Sequence, residues 1–497
     1  MNRNVLEWLE NQKDSQKTAY RDFWGSVTFA EVYQKAGRIG SSLKSVKGTS
    51  PIAIISGRGI DTICGFFGIV CSGHAYAPID SSLPRRRIEV ILQTLQPAAI
   101  VADRENLGLA RELCQTAFLL DDLAQGEADP AFLQGVRDKT VMTDPLYVIF
   151  TSGSSGIPKG VITSHQSLMC YIESYTRVMG IDSTDILGNQ SPLDYIAAIR
   201  DIYIPLLSGC ATVIIPTEYF MQPDRLFAYM NSNGVTAVGW SVSALSVPVR
   251  LGAFRETELT TLRKICFSGS VMPSPVLRLW QEHLPNAKFV NQYGPTEATA
   301  SCTYYEIDHL VEPDEQLLIG KPYEHYKVFL LNGDLSETKQ GEIGEICISG
   351  PILAMGYYND PERTAKAFLN NPNVRGYPER MYRSGDYGRQ REDGLFEFHG
   401  RMDRQIKHMG HRVELDEIEY AASRIDGLDE CAALYSQEKE TIWLFYSGTA
   451  EKRAIALALR QTLPMFMIPR KIVKLERIPK LMNGKIDMNQ LKERIAL

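Results

Sequence analysis

The sequence predicts an α/β protein: a large N-terminal part built on parallel sheets, a small β-rich subdomain, and a C-terminal α+β domain. Three observations carry this. Short β-branched runs alternate with helical patterns as far as Leu317, the spacing of βαβ units. From Leu317 the texture turns to short strands punctuated by glycine. After Arg412 helical periodicity returns between strands. A chain of 497 residues exceeds one core, so roughly two to four domains or subdomains are expected.

In chain order, "SPIAIIS" reads as a strand and "DTICGFFGIVCSG" as the helix after it. "HAYAPID" and "PAAIVAD" are strands. "ATVIIP", "RLFAYMNSNG" and "VTAVGWS" repeat the strand–helix–strand pattern. "EQLLIGKPYEHYKVFLLNGD", "GEIGEICISGPILAMGYY" and "LFEFHGRMDRQIKHMG" are the short strands of the β-rich region, about 317–402. "VELDEIEYAASRI" and "EKRAIALALRQTL" have apolar residues at helical spacing; "ECAALYSQ" and "TIWLFYSG" read as strands. There is no internal repeat and no Pro/Ser-rich linker, so any domain joint is short.

The bulk numbers exclude several classes. At 44% hydrophobic and 23% charged, the composition is that of a soluble globular protein. A net charge of -6 with no polybasic run argues against nucleic acid as a partner. The nine cysteines are scattered singly with no CxxC pair, which points to reduced thiols rather than zinc or a disulfide framework. The N-terminus lacks the apolar region of a signal peptide, and "TICGFFGIVCSG" is too short to span a bilayer. A cytoplasmic location without membrane partners is expected.

"YVIFTSGSSGIPKGVITS" (Tyr147 to Ser164) is the strongest motif. An apolar strand runs into a loop of Thr151, Ser152, Gly153, Ser154, Ser155 and Gly156, with Lys159 beyond. Glycine permits close backbone approach, and successive N–H groups and hydroxyls can wrap phosphate oxygens. It is not a Walker A loop, because Lys159 follows Pro158 and no magnesium hydroxyl stands in that pattern. The bland alternative is a surface Ser/Gly turn.

With this loop, four further motifs stand in order: "NQYGPTE", "YRSGDYG", "GRMDRQIKHMGHRVELDEIE" and "PKLMNGKID". Over nearly its whole length the chain thereby resembles the adenylate-forming superfamily of acyl-CoA synthetases, luciferases and non-ribosomal-peptide adenylation domains. "LPMFMIPRKIV" and "GHRVELDEIE" are similar to free-standing amino-acid adenylating enzymes such as the D-alanine–carrier protein ligases. The resemblance implies two mixed β-sheets sandwiched by helices plus the β subdomain over 1–402, and a hinged lid over 403–497. It implies ATP and Mg2+, attack of a carboxylate on the α-phosphate, and transfer of the acyl group to a thiol. Two anions must meet in the first step, so cations and positioning are required.

The resemblance assigns roles residue by residue. Glu297 resembles the magnesium glutamate, which with Thr151 and Lys485 makes the expected catalytic set. Tyr293 resembles the residue packed on adenine, among Asn291, Gln292, Gly294 and Thr296. Asp386 resembles the carboxylate that takes the ribose hydroxyls, with Arg401 as its helper. Lys485 in "NGKID" resembles the mobile lysine, and Asp403 the hinge. "GHRVE" would face the site in the second state. His165 could cap a helix or touch the acyl site.

"SPLDYIAAIRDIY" (Ser191 to Tyr203) falls where the resemblance places the acyl pocket. Family members for α-amino acids carry an aspartate that pairs with the substrate ammonium. An ungapped alignment puts Ile196 there, and Asp194 stands two residues earlier. Arg200 takes a deep pocket position, with Ala197, Ser243, Cys266, Ser268, Gln292, Ala300 and Ser301 as further matched positions. Either Asp194 reaches an amino group and Arg200 a second polar or anionic group, or the two pair with each other or with other protein groups. Arg200 and Asp201 could instead face solvent on a helix, and a register shift of two residues would restore Asp194 to the usual role.

The function expected is activation of a small carboxylic acid, a polar amino acid or analogue, and transfer to the phosphopantetheine of a separate carrier protein. No carrier-type segment with a "GGxS"-type serine follows Lys485. A CoA ligase for an aryl or short-chain acid is the alternative, and a catalytically silent binding protein a third.

Overall fold

The computed structural model describes residues 3–153, 157–255, 257–480 and 486–496. The chain divides into two compact units: Met1–Ser81, Leu95–Ile149 and Val161–Met402 form the first, and Ser82–Thr94, Phe150–Gly160 and Asp403–Leu497 the second.

Two large mixed sheets build the first unit. In the nine-stranded sheet, Ala211–Ile214, Ile186–Asn189, Ala237–Ser241, Lys264–Ser268 and Lys288–Tyr293 lie parallel in that spatial order. Thr303–Ile307 then turns back antiparallel on Lys288–Tyr293. The seven-stranded sheet centres on Ile52–Ile55, parallel to Tyr76–Ile79 and Ala99–Ala102. Strands covered on both faces need side chains that are apolar throughout, and Ile52–Ile55 is buried at every position.

The helices show why their segments are helical. Ile60–Cys71 is buried from Thr62 through Cys71, as a helix enclosed on all sides must be. Phe29–Ser42 opens with a complete capping box of Thr28 and Glu31. His165–Met179 is capped by the Ser164 side chain and stops at Gly180, whose φ of 65° is the left-handed region glycine tolerates. The β-rich region forms a five-stranded antiparallel sheet in which Arg380–Gln390 is flanked by Ile343–Ser349, Phe368–Asn370 and Phe396–Arg401.

In the second unit, Gln405–His408 and His411–Glu414 form a hairpin whose two turn residues, Met409 and Gly410, both have positive φ (52° and 82°). Such turns match the right-handed twist of the flanking strands. Leu428–Ser436 pairs antiparallel with Thr441–Gly448, which pairs parallel with Lys471–Lys474. The helices Leu415–Ala422 and Lys452–Arg460 supply Ile418, Ile455 and Leu459 to a core with Leu444 and Tyr446. Arg87 forms an ion pair with the buried Glu417, and Ser152 Oγ donates to the Arg412 carbonyl at 2.8 Å. The α/β class, the mixed sheets and the α+β C-terminal unit agree with the sequence reading. Among the described residues no helix is long and apolar enough to cross a membrane.

Candidate active site

Open α/β sheets bind ligands at the carboxyl ends of their parallel strands. Here Ser241, Ser268 and Gln292 stand in register at those ends. The next residues, Tyr293 to Glu297, make a turn that folds back onto residues 299–303. Gly294 is required: a Cβ there would lie 2.4 Å from Ser301 Cα and 2.8 Å from the Cys302 nitrogen. Thr299 and Ala300 adopt positive φ (46° and 75°), a costly conformation for side chains of this kind that is held by its surroundings. Thr299 Oγ1 donates to the Ile352 carbonyl at 2.7 Å, and the Ala354 N–H donates to the Glu297 carbonyl at 2.8 Å. Glu297 is fully buried, and its Oε1 accepts from the Tyr357 hydroxyl at 2.8 Å.

Asp386 meets this turn from the β-rich sheet. It lies opposite Arg401 in the ladder, and a register shift follows between Asp386 and Gly388. Such a bulge re-aims side chains. Gly385 (φ 72°) allows its N–H to donate to Glu345 Oε1 at 3.1 Å, while Ser384 Oγ donates to the Ile346 carbonyl at 2.7 Å. Asp386 Oδ2 accepts from the Tyr293 hydroxyl at 2.6 Å, and Oδ1 pairs with the Arg401 guanidinium. A carboxylate has about four lone-pair sites over two oxygens, an acceptor set that suits ligand hydroxyls. Burial and then Asp386 hold the Tyr293 phenol well above its ordinary pKa, which keeps it a donor.

The stretch from Ser191 to Tyr203 is not a solvent-facing helix. Ile196–Ala198 is a 3-10 turn leading into the helix Ile199–Ser208, and Arg200 and Asp201 are both buried. Arg200 does not bond to Asp194. Its Nε donates to the Ala197 carbonyl at 3.2 Å, and its terminal nitrogens donate to the Gly239 carbonyl (2.9 Å), Gln292 Oε1 (3.4 Å) and Cys266 Sγ (3.9 Å). Gly239 leaves room for this: a Cβ there would lie 3.2 Å from the guanidinium. Asp201 accepts from Asn189 Nδ2 at 2.7 Å. Asp194 is half-buried, and burial together with the nearby Asp80 charge pushes it up to about 7. Ile196 packs into the apolar core.

The other sequence-derived positions divide. Asn291 donates to the Leu318 carbonyl at 2.8 Å, and Gln292 Nε2 donates to the Tyr323 hydroxyl. Ser301 and Thr296 are buried, while Ser243, Ser268, Ala197 and Ala300 are half-buried; of these four, Ala197 offers its carbonyl to Arg200. Thr151 and Lys159 are buried, and among the described residues Thr151 Oγ1 finds no hydrogen-bond partner. The exposed Asp403 accepts from the Gln405 N–H at 3.2 Å. Ser154, Ser155, Gly156 and Lys485 lie outside the described residues. His165 opens its helix, but Ser164 does the capping; the His165 ring accepts from the Val5 N–H at 3.3 Å.

Sequence reasoning passed over Tyr357, Tyr171, Tyr323, Gly239 and Asp80. Tyr171 and Tyr175 recur at i,i+4 on a buried helical face, a pattern that could have marked the first of them. The partner of Glu297 had no local signal, since Tyr357 is 60 positions away.

A single buried carboxylate is the donor set magnesium asks for when substrate phosphates supply most of its ligands, so Glu297 fits that ion. Among the described residues no group of three or more His, Cys, Asp or Glu offers an all-protein metal cage.

Residues 7–358 match the family model described as AMP-binding enzyme. Tyrocidine synthase 1 of Brevibacillus parabrevis is 29% identical over 474 residues, covering 94% of this chain and 42% of that protein. Delta-poly-L-ornithine synthetase of Acinetobacter baumannii is 31% identical over 490 residues, covering 96% of this chain and 35% of that protein. The chain thus spans less than half the length of these relatives. A solved NRPS protein containing adenylation and PCP domains superposes with a TM-score of 0.83 at 26% identity, over 99% of this chain and 84% of that one. The Vibrio cholerae adenylation domain AlmE shares the fold, with a TM-score of 0.84 at 22% identity over 99% of this chain and 97% of that one. The chain belongs to the AMP-binding enzyme family of adenylate-forming ligases.

Proposed function

We propose that the chain activates a small polar carboxylic acid, of the amino-acid or amino-acid-analogue class, with ATP. The acid oxygen attacks the α-phosphorus, the bond to the β-phosphate oxygen breaks, and pyrophosphate leaves an acyl-adenylate. A phosphopantetheine thiol on a carrier protein then attacks the acyl carbon, and AMP departs. The observation that carries this reading is the convergence of Glu297, Tyr293, Asp386 and Arg401 in one unit.

In this reading Asp386 binds the ribose hydroxyls, and Arg401 and Tyr293 fix its orientation by occupying one site on each oxygen. Glu297, steered by Tyr357, holds Mg2+ with the phosphates; the ion when bound offsets phosphate charge during displacement. Residues 151–156 and Lys159 cradle the phosphates. Lys485 supplies a cation to the reacting carboxylate, and Asp403 is the hinge of the lid. A relative named Delta-poly-L-ornithine synthetase supports the amino-acid class, and the similar NRPS protein containing adenylation and PCP domains supports the carrier acceptor.

One observation favours a second reading. Ile196 is buried in the apolar core where the family's ammonium-binding aspartate is expected. An acid without an α-amine, passed to CoA, is therefore the competing assignment. Acid-dependent ATP–pyrophosphate exchange tests the first step. Mass spectrometry of the thioester formed on a carrier protein or on free CoA decides the acceptor: acyl-CoA formed at a comparable rate without carrier overturns the carrier assignment.

A further inference from the structure

Arg200 carries its charge at 1% exposure, and among the described residues no carboxylate pairs with it. A buried guanidinium without a counter-charge is costly. Half-buried Arg58 shows how this chain satisfies such a group with its own atoms. Arg58 donates to the Ile215 carbonyl at 2.6 Å, the Asn189 carbonyl at 2.9 Å and Asn189 Oδ1 at 2.5 Å. Arg200 is served less well. Its Nη1 meets only Gln292 Oε1 at 3.4 Å and Cys266 Sγ at 3.9 Å, both long for the group.

Two hydroxyls share the place. Among the described residues Tyr171 OH and Ser301 Oγ are buried without a hydrogen bond of good geometry, and Tyr171 lies within loose hydrogen-bonding reach of both Ser301 and Arg200. Burial pushes the Cys266 thiol up to about 11 and the Tyr171 phenol up to about 12, so both neighbours are neutral near pH 7; the compensation in reach is the longer-range charge of the buried Asp201 and the Tyr175 ring, 5.5 Å from the guanidinium, and neither is a paired anion. Gln292 adjoins Tyr293, the residue that binds Asp386. The cluster therefore lies against the middle of the parallel strands at Gly239 and Cys266 and reaches their carboxyl ends at Gln292, beside the proposed nucleotide groups.

Resting on the adenylation reading above, we propose that Arg200, Tyr171 and Ser301 recognise the far end of the substrate acid, and that this end is a second carboxylate. The guanidinium fork matches a carboxylate in two parallel bonds, and the two hydroxyls donate to its remaining lone pairs. A neutral isostere would leave the buried cation unpaired, so discrimination at such a site is large.

The test is ATP–pyrophosphate exchange with matched acids that differ at the far end: aspartate, glutamate, succinate and glutarate against their half-amides and methyl-ended equivalents. Wild type should favour a carboxylate end by at least about 100-fold in kcat/KM. Arg200→Met, similar in volume, should erase that preference, Arg200→Lys should restore part of it, and Tyr171→Phe should lower it about tenfold. Thermal unfolding and binding of a fluorescent ATP analogue report whether each variant is folded. If Arg200→Met does not fold, Tyr171→Phe and Ser301→Ala decide. Exchange that prefers neutral-ended acids, or a carboxylate preference that survives in the folded Arg200 or hydroxyl variants, overturns this inference and leaves adenylation standing. Absence of exchange with every acid overturns the adenylation reading and this inference with it.

Discussion

At the scale of single residues, buried polar groups carry most of the meaning. Glu297 is fully enclosed yet charged in the proposed role, with Tyr357 on one oxygen. Glu297→Gln keeps the shape and the acceptor for Tyr357 but removes the charge. Exchange should fall by roughly 100- to 1,000-fold, with little change in thermal stability, as loss of one preorganised electrostatic group does. His165 has a different consequence. Burial lowers it from 6.5 to about 4, and its ring must be neutral to accept from Val5. Between these values the unfolded chain binds a proton that the native state refuses. Stability from this residue is therefore complete above pH 6.5 and is lost as pH falls toward 4, by about 3 kcal/mol at most. Urea unfolding against pH should show a shallower decline across that window for His165→Asn, whose amide oxygen can still accept from Val5. Glu297, Asp386 and Arg401 stood out in the sequence because each sits in a dense local motif. Tyr357 and Tyr171 were not, because their roles come from contacts far along the chain.

Among elements, the turn from Tyr293 to Thr303 is the most constrained. It packs backbone against backbone, and only a residue without Cβ fits at Gly294. Gly294→Ala should destabilise by roughly 1–3 kcal/mol and reduce exchange together with stability, since the turn carries Glu297; chemical denaturation beside kinetics checks both. The parallel strands and their helices were readable from periodicity, because Ile52–Ile55 is apolar throughout and Ile60–Cys71 is apolar over its buried length apart from Thr62. The segment Ser191 to Tyr203 was ambiguous on the same grounds. Its charges match a wet helical face in pattern, and only tertiary packing places Arg200 against Gly239 and Gln292. The bulge beyond Asp386 and the positive φ of Thr299 and Ala300 also lie beyond periodicity, since neighbouring strands impose them.

For the whole molecule, the proposal is that one chain runs two half-reactions by turning its C-terminal unit about Asp403. Proline fixes φ and removes the N–H, so Asp403→Pro should block the turn. Exchange should stay within a few-fold of wild type while thioester formation falls by at least about 100-fold, followed as labelled acid transferred to carrier protein. Equal loss of both halves would contradict a hinge there. The grouping of Ser82–Thr94 and Phe150–Gly160 with the C-terminal residues was not legible in the sequence, because it depends on contacts such as Arg87 with Glu417. The central claim is that this chain forms an acyl-adenylate from a small polar acid. Exchange of labelled pyrophosphate into ATP across a panel of α-, β- and imino acids, dicarboxylic acids and aryl acids measures it directly. The account predicts exchange that requires the acid and magnesium and falls by at least about 100-fold in Glu297→Gln; no acid-dependent exchange with any member of the panel would contradict it.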